Sequence, residues 1–362
     1  MSAVTEEDLG QEAFELRVVR VVDETHEARS ITFEVPPPAA ARFAYAPGQF
    51  LTLAIPSDRT GVVARNYSLS SSPPFSYHPG DHVTITVKRT AGGYASNWIC
   101  DHVQEGDSLH VLPPAGVFTP SSLDADLLLF AAGSGITPVM SIVRAALARG
   151  TGQVVVFYAN RDAQSVIFAA ELDKLVANHP DRLHVTHWWE SDKGLPTAEA
   201  LTDLATAHKE YEALVCGPTP FMALTTGVLR ELDFPRERRR QEKFVSLTGN
   251  PFGTVPSPTP IDSHDEPTEA LSTLAVTFDG ERHVFDDWAP TTTMLEHMES
   301  KGIDAPYSCR EGQCATCVVR LVSGEVEMAA NDVLDDTEVA EGMRLACQST
   351  PASDQVIAVV YD

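Results

Sequence analysis

The sequence has no apolar run near the roughly 20 residues that a membrane-crossing helix requires. Its longest candidate, LLLFAA over Leu127–Ala132, stops at Gly133. The opening residues, MSAVTEEDLGQEAF, are acidic and lack a basic stretch followed by an apolar one, so no export signal is expected and a cytoplasmic location follows. Basic residues are scarce: 26 Lys and Arg stand against 51 Asp and Glu, a formal net charge of −25. A surface that acidic repels phosphate backbones and anionic lipid, which argues against nucleic-acid and membrane partners. Cysteine is scarce too. Six in 362 residues are too few for a disulfide scaffold, and in a reducing compartment a cluster of them points to a metal site. With 43% hydrophobic and 21% charged residues the chain is neither disordered nor fibrous. At roughly 100–200 residues per domain it holds two or three domains.

Composition divides the chain. Residues 12–122 carry short alternating or β-branched runs (FELRVVRVVDE, SITFEV, QFLTLAI, NYSLSS, HVTITVKR, SLHVLPP) separated by turns such as Pro47-Gly48 and Gly106-Asp107. That pattern predicts a small antiparallel barrel or sandwich. Over residues 123–248 strands alternate with helices: DLLLFAA, PVMSIVRAALARG, QVVVFYAN, SVIFAAELDKLVANH, RLHVTHWW, PTAEALTDLA, YEALVCG. This order predicts a parallel sheet with helices on both faces. Residues 249–270 are rich in proline, hold four acids and no Lys or Arg, and read as a semi-extended linker. Residues 271–362 return to strands (STLAVTFDG, ERHVFD) with one helix (TTMLEHMES). From residue 249 onward 21 acids face 5 bases, so most of the negative charge sits in this tail.

Four of the six cysteines fall in that tail, as Cys309-x4-Cys314-x2-Cys317 and then Cys347. This is the plant-type [2Fe–2S] spacing: three thiolates on one tight loop and a fourth from a distant segment. Gly312 and Ala315 keep the loop's side chains small, so that backbone N–H groups can face the sulfurs. A structural zinc site is the competing reading, but zinc ribbons usually pair two Cys-x2–4-Cys knuckles, and RLACQST around Cys347 supplies no second one. Gly133-Ser134-Gly135-Ile136-Thr137-Pro138 follows the strand DLLLFAA. Its glycines let a diphosphate approach the backbone, and the following helix offers free N–H groups. Pro138 suits the first helical turn. Alone this turn is weak evidence, since it is not GxGxxG. Cys216-Gly217-Pro218 ends another strand of the same sheet, so both loops face the crevice where open sheets bind ligands. In the barrel, Arg65-Asn66-Tyr67-Ser68 offers a cation for phosphate, a flat ring and a hydroxyl for a ring nitrogen, although Tyr and Ser in a strand are commonly mere packing and surface. Gly93-Tyr94-Ala95-Ser96 precedes a helix whose N–H groups can receive a pyrophosphate.

In this order RNYS, GYAS, GSGITP, CGP and C-x4-C-x2-C…C resemble the ferredoxin–NADP reductase superfamily, in the three-part form of the reductases of multicomponent oxygenases. The longer stretches DETHEARSITFEVP, YAPGQFLTL, VKRTAGGYASNW, AGSGITPVMSI and DAPYSCREGQC are most similar to the reductases of actinobacterial 3-ketosteroid 9α-monooxygenases. The resemblance implies a flavin-binding Greek-key β-barrel, a parallel α/β nucleotide-binding domain and a C-terminal β-grasp ferredoxin. It implies FAD at Arg65, Asn66, Tyr67, Ser68, Lys88, Gly93 and Ser96. It puts a dinucleotide at Gly133, Gly135, Thr137, Pro138, Gly217 and Pro218. Ser68, Cys216 and Glu242 would align the nicotinamide with the flavin, and Phe244 would stack on it. Without the resemblance, Glu242 and Phe244 read equally well as the end of a strand before the linker.

At Asn160-Arg161-Asp162, where the adenosine ribose is read, Asp162 would accept from a 2′-hydroxyl or repel a 2′-phosphate, and Arg161 could do the opposite. The balance favours NADH. The expected path is NADH to FAD to [2Fe–2S] to a terminal Rieske-type oxygenase, with steroid 9α-hydroxylation as the client. Other clients stay open: an aromatic or acyl-CoA ring oxygenase, a quaternary-amine demethylase or a desaturase. A non-enzymatic iron–sulfur carrier or redox sensor is opposed by the intact flavin and nucleotide motifs.

Overall fold

The computed structural model describes residues 13–57, 61–73, 81–244, 251–252, 271–278, 280–303, 305–307, 310–312, 315–331, 333–334, 336–352 and 356–361. They fall into two compact units that meet in sequence between residues 246 and 247. Most of the expected linker lies outside the described residues; of the two that remain, Phe252 is buried.

The first unit opens with six antiparallel strands: β1 (Phe14–Thr25), β2 (Ala28–Glu34), β3 (Phe50–Ser57), β4 (Gly61–Ser68), β5 (His82–Lys88) and β6 (Ser108–Val111). Their order is β4-β3-β6-β1-β2-β5. A bridge between Leu69 and Ile85 and the bond from Ser70 N to Thr84 O (2.8 Å) bring the two edges together and close the barrel. Alternation drives it. Leu16 and Val18, Ile31 and Phe33, and Val83, Ile85 and Val87 point inward and are fully or nearly fully buried. Helix α1 (Tyr94–His102) follows β5 and lays Ala95, Ile99 and Cys100 on this core.

The same unit continues with a parallel sheet of β7 (Leu127–Ala132), β8 (Val154–Asn160), β9 (Leu183–Trp189), β10 (Glu212–Cys216) and β11 (Arg239–Glu242), ordered β11-β10-β7-β8-β9. Every residue of β7 and β8 is buried, as expected of strands covered on both faces. Leu127, Leu129 and Ala131 pack beneath α2 (Ile136–Arg149) and α3 (Ala169–Asn178). Leu128 and Phe130 face α5 (Ala198–Ala207) and α6 (Thr219–Glu231), while a short α4 (Glu190–Lys193) follows β9. Strand β11 reads RRQE and carries no apolar pattern, yet it ends at Glu242, where the end of a strand was one of the two readings the sequence allowed. Its position is secured by Arg240, whose Nε donates to Glu212 Oε1 (2.8 Å) on β10. Buried Glu212 also accepts from Ser121 N and Oγ (2.9 and 2.6 Å).

The second unit holds β12 (Ser272–Phe278), β13 (Glu281–Trp288), α7 (Met294–Ser300), β14 (Val318–Ser323), β15 (Val326–Met328), α8 (Asp336–Ala340), β16 (Met343–Leu345), β17 (Ser349–Pro351) and β18 (Val356–Val360). Its main sheet runs β13-β12-β18-β14-β16, parallel only between β12 and β18. Helix α7 covers it through Met294, Leu295 and Met298, as a β-grasp requires. A reciprocal cap starts that helix: Glu296 N donates to Thr293 Oγ1 (3.3 Å), and Thr293 N donates to Glu296 Oε2 (3.0 Å).

Candidate functional site

A cleft of about 270 Å³ opens in the first unit along β4, the end of β5 and the start of α1. Arg65, Asn66, Tyr67, Ser68, Lys88, Gly93 and Ser96 all line it, so the barrel brings together the seven residues expected at a flavin. Asn66 Oδ1 accepts from Thr52 Oγ1 (2.8 Å). Burial pushes the Tyr67 phenol far up, so its ring is a neutral surface. Ser96 Oγ accepts from Thr90 N (3.1 Å), which folds the turn before α1. No side chain caps α1, leaving its first N–H groups available to an anion. A Cβ on Gly93 would meet Thr90 Cβ at 3.0 Å, so the turn is tightly packed at this residue. Ser134 and Thr137 bound the cleft from the α/β side, and half-exposed Phe244 bounds it from beyond β11.

The strand order places a switch point at β7, which has β10 on one side and β8 on the other. The loops after β7 and β10 meet there. Gly133 takes a φ of +52°, a conformation that suits glycine. Gly135 is required by close approach, since a Cβ on it would stand 2.1 Å from Cys216 O and 2.7 Å from Gly217 N. Gly217 is similarly confined by Phe221 and Ala132. Thr137 Oγ1 donates back to Ser134 O (3.0 Å), Pro138 sits in the first turn of α2, and Pro218 precedes α6. Neither helix start carries a side-chain cap.

Ser68, Cys216 and Glu242 come from three separate segments and converge. Cys216 on β10 and Glu242 on β11 are register partners. Ser68 Oγ at the end of β4 donates to Glu242 Oε2 (3.1 Å). Burial raises the Glu242 carboxyl from 4.5 to about 8, against the opposing effect of the Ser68 bond. Burial, helped by the Glu242 charge, pushes the Cys216 thiol well above its usual range, which favours the neutral thiol. The cluster is therefore a neutral, hydrogen-bonded patch beside the cleft.

At the end of β8 the expected residues are engaged in ways the sequence did not announce. Asn160 is buried beside the Tyr158 phenol, which donates to Gly133 O (3.2 Å) and accepts from Ile167 N (3.2 Å). Asp162 Oδ1 accepts from Ser165 N and Oγ (both 2.8 Å), and that bonding holds its carboxyl below the usual range. Arg161 pairs with Glu27 from the β1–β2 turn, and Lys88 Nζ lies 3.9 Å from the same carboxylate. Glu27 was missed, because nothing in VVDETHEA marks a turn residue that reaches another domain. Ser134 and Tyr94 were missed inside quoted motifs.

In the second unit, Cys317 precedes β14 and Cys347 lies in the turn Ala346–Gln348. Both are nearly fully buried, and Ala346 N donates to Cys317 O (2.9 Å), tying the two segments together. Cys309 and Cys314 lie outside the described residues. What is described of their loop fits a cluster cradle: Arg310, Gly312 and Ala315 take φ values of 56°, 75° and 58°. A Cβ on Gly312 would stand 2.8 Å from Ala330 O. Two buried thiols beside a tightly coiled loop are a soft donor set suited to iron.

Three family models match. An oxidoreductase FAD-binding domain matches residues 15–119, an oxidoreductase NAD-binding domain residues 129–226, and a 2Fe-2S iron-sulfur cluster binding domain residues 276–352. The chain is 51% identical over 362 residues to the 3-ketosteroid-9-alpha-monooxygenase ferredoxin reductase component of Mycolicibacterium smegmatis, covering 99% of this chain and 100% of that one. It is 32% identical to the glycine betaine monooxygenase reductase subunit of Pseudomonas aeruginosa, over 94% of each. Phthalate dioxygenase reductase shares the fold at a TM-score of 0.54 and 21% identity, over 96% of this chain and 98% of that one. No helix among the described residues is long and apolar enough to cross a membrane. With FAD-binding, NAD-binding and [2Fe–2S] domains in one polypeptide, the chain belongs to the ferredoxin reductase family that serves multicomponent oxygenases.

Proposed function

We propose that this chain takes electrons from NADH through FAD and its [2Fe–2S] cluster to a terminal oxygenase of the Rieske type, and that 3-ketosteroid 9α-hydroxylation in the cytoplasm is the reaction served. The flavin, when bound, accepts a hydride and releases its electrons singly, which a one-electron cluster needs. Residues 12–122 would hold the flavin, 123–248 the nicotinamide nucleotide and 271–362 the cluster, with Cys309, Cys314, Cys317 and Cys347 as its ligands. Arg65, Lys88 and the open start of α1 supply positive potential for the flavin diphosphate, and Tyr67 and Phe244 supply ring surfaces. Gly133, Gly135 and the starts of α2 and α6 receive the nicotinamide diphosphate on backbone N–H groups.

The observation that carries the reading is the convergence of Ser68, Cys216 and Glu242 at the switch point beside the cleft. These groups position rings and hold a proton at the Glu242 carboxyl; no nucleophile is needed. The 51% identity over the full length supports the steroid client.

The test is reconstitution of the purified holoprotein with a 3-ketosteroid 9α-hydroxylase oxygenase component. NADH should bleach the flavin and cluster absorbance together and drive formation of the 9α-hydroxysteroid. NADH consumption by the reductase without product there, but with coupled product from a quaternary-amine oxygenase, would transfer the client to the class that the glycine betaine relative represents.

A further inference from the structure

Gln348 directly follows the proposed fourth cluster ligand, Cys347, and its carboxamide occupies a junction. Nε2 lies 2.8 Å from Arg310 O, 2.9 Å from Cys347 O and 3.6 Å from Cys347 Sγ. The nitrogen has two hydrogens for three acceptors. One is committed to Arg310 O, on the loop that carries the other ligands. The second is shared between the carbonyl and the sulfur of Cys347 itself.

The loop end of this junction is anchored independently. The Arg310 guanidinium makes two bonds to the Glu299 carboxylate on α7, one of them at 2.9 Å, and stacks 3.8 Å from the Tyr307 ring centroid. Arg310 takes a left-handed φ of 56°, uncommon for a residue with a side chain, and this turns its carbonyl toward Gln348. The Gln348 stem is confined as well, since a Cβ on Gly312 would come within 3.1 Å of Gln348 Cγ. Glu299, Arg310, Gln348 and Cys347 thus form one continuous chain of polar contacts from α7 to a ligand sulfur.

We infer that Gln348 is a positioning residue for the [2Fe–2S] centre: it ties the fourth ligand segment to the main ligand loop, and its N–H···S contact sets the cluster's reduction potential. Reduction adds negative charge to the iron–sulfur core and its thiolates, and a donor aimed at a ligand sulfur stabilises that charge more in the reduced state than in the oxidised one. Removing the donor must therefore lower the potential. The inference rests on Cys347 being a ligand, which Cys347→Ala, with no donor atom at that position, tests separately: iron and sulfide content must fall in that variant. If they do not, the ligand assignment fails, not the hydrogen-bond argument.

The experiment compares the full-length holoprotein with Gln348→Met, close in size but without a donor, and Gln348→Glu, which keeps the shape and replaces the N–H2 by oxygen. Cluster potentials are read by spectroelectrochemistry with the flavin followed in parallel. The Met variant should hold its iron and favour the oxidised cluster about tenfold more than the native chain, about 59 mV more negative for one electron. The Glu variant should lie lower still, while the flavin potential stays unchanged in both. A further measurement needs no variant. Pulsed EPR of the reduced native chain labelled with 15N in glutamine side chains should show a coupling from one carboxamide nitrogen. Equal cluster potentials in all three proteins, or no glutamine coupling in the native one, would overturn the inference.

Discussion

Replacing Glu242 by glutamine should change how the protein's stability responds to pH. The folded chain holds this carboxyl at about 8, while the unfolded chain releases its proton near 4.5. Between those values the native state binds more protons than the unfolded state, so stability falls as pH rises through the interval. Below 4.5 the group is protonated in both states and contributes no slope. At about 1.36 kcal/mol for each pH unit, the interval corresponds to a ceiling of about 5 kcal/mol, and water entering around the ionised group will reduce it. A glutamine carboxamide is neutral throughout and still offers an oxygen to the Ser68 hydroxyl, so Glu242→Gln should lose this component and keep the local structure. The assay is the thermal midpoint of both proteins, free of nicotinamide, in steps from pH 5 to pH 9. The two should match near pH 5, and the glutamine variant should become progressively the more stable one above it. Parallel curves across the range would mean that the native carboxyl ionises freely, and the idea of a neutral patch beside the cleft would fall.

Gly135→Ala should abolish nicotinamide nucleotide binding, because the new methyl group would stand 2.1 Å from Cys216 O and force the β7 and β10 loops apart. Overpacking of this kind costs at least about 1–3 kcal/mol, so titration calorimetry with NAD and the thermal midpoint should both register it, while flavin absorbance persists. Glu212→Ala removes a buried carboxylate that accepts from Ser121 and pairs with Arg240 at 2.8 Å. Arg240 is about a third exposed and can turn to water, so the cost comes mainly from Ser121 N–H losing its acceptor, about 1–3 kcal/mol, and chemical denaturation should show a loss of that order; a change below about 0.5 kcal/mol would refute the view that Glu212 secures β11.

The sequence alone determined the parts and their order. Four cysteines at metal-binding intervals, a glycine turn after an apolar strand, and RNYS in a β-branched run are local patterns. Apart from Cys347, which stands 30 residues beyond Cys317, each pattern is complete within a few residues, so it is legible without coordinates. The same holds for β7 and β8, whose unbroken apolar runs announce burial on both faces. Strand β11 was legible only as one of two equal readings of Glu242, because RRQE is placed by a parallel register to β10 and an ion pair to Glu212 and not by any apolar pattern. Only the tertiary structure decided that Ser68, from a barrel strand, and Glu242, 174 residues later, share a hydrogen bond. It alone turned Glu242 from an ordinary carboxylate into a neutral acid, because burial is a property of the packed neighbourhood and not of the residue. It alone committed Arg161 to Glu27. Long-range contacts of this kind leave no trace in local spacing, and they set the electrostatics through which the cofactor motifs act.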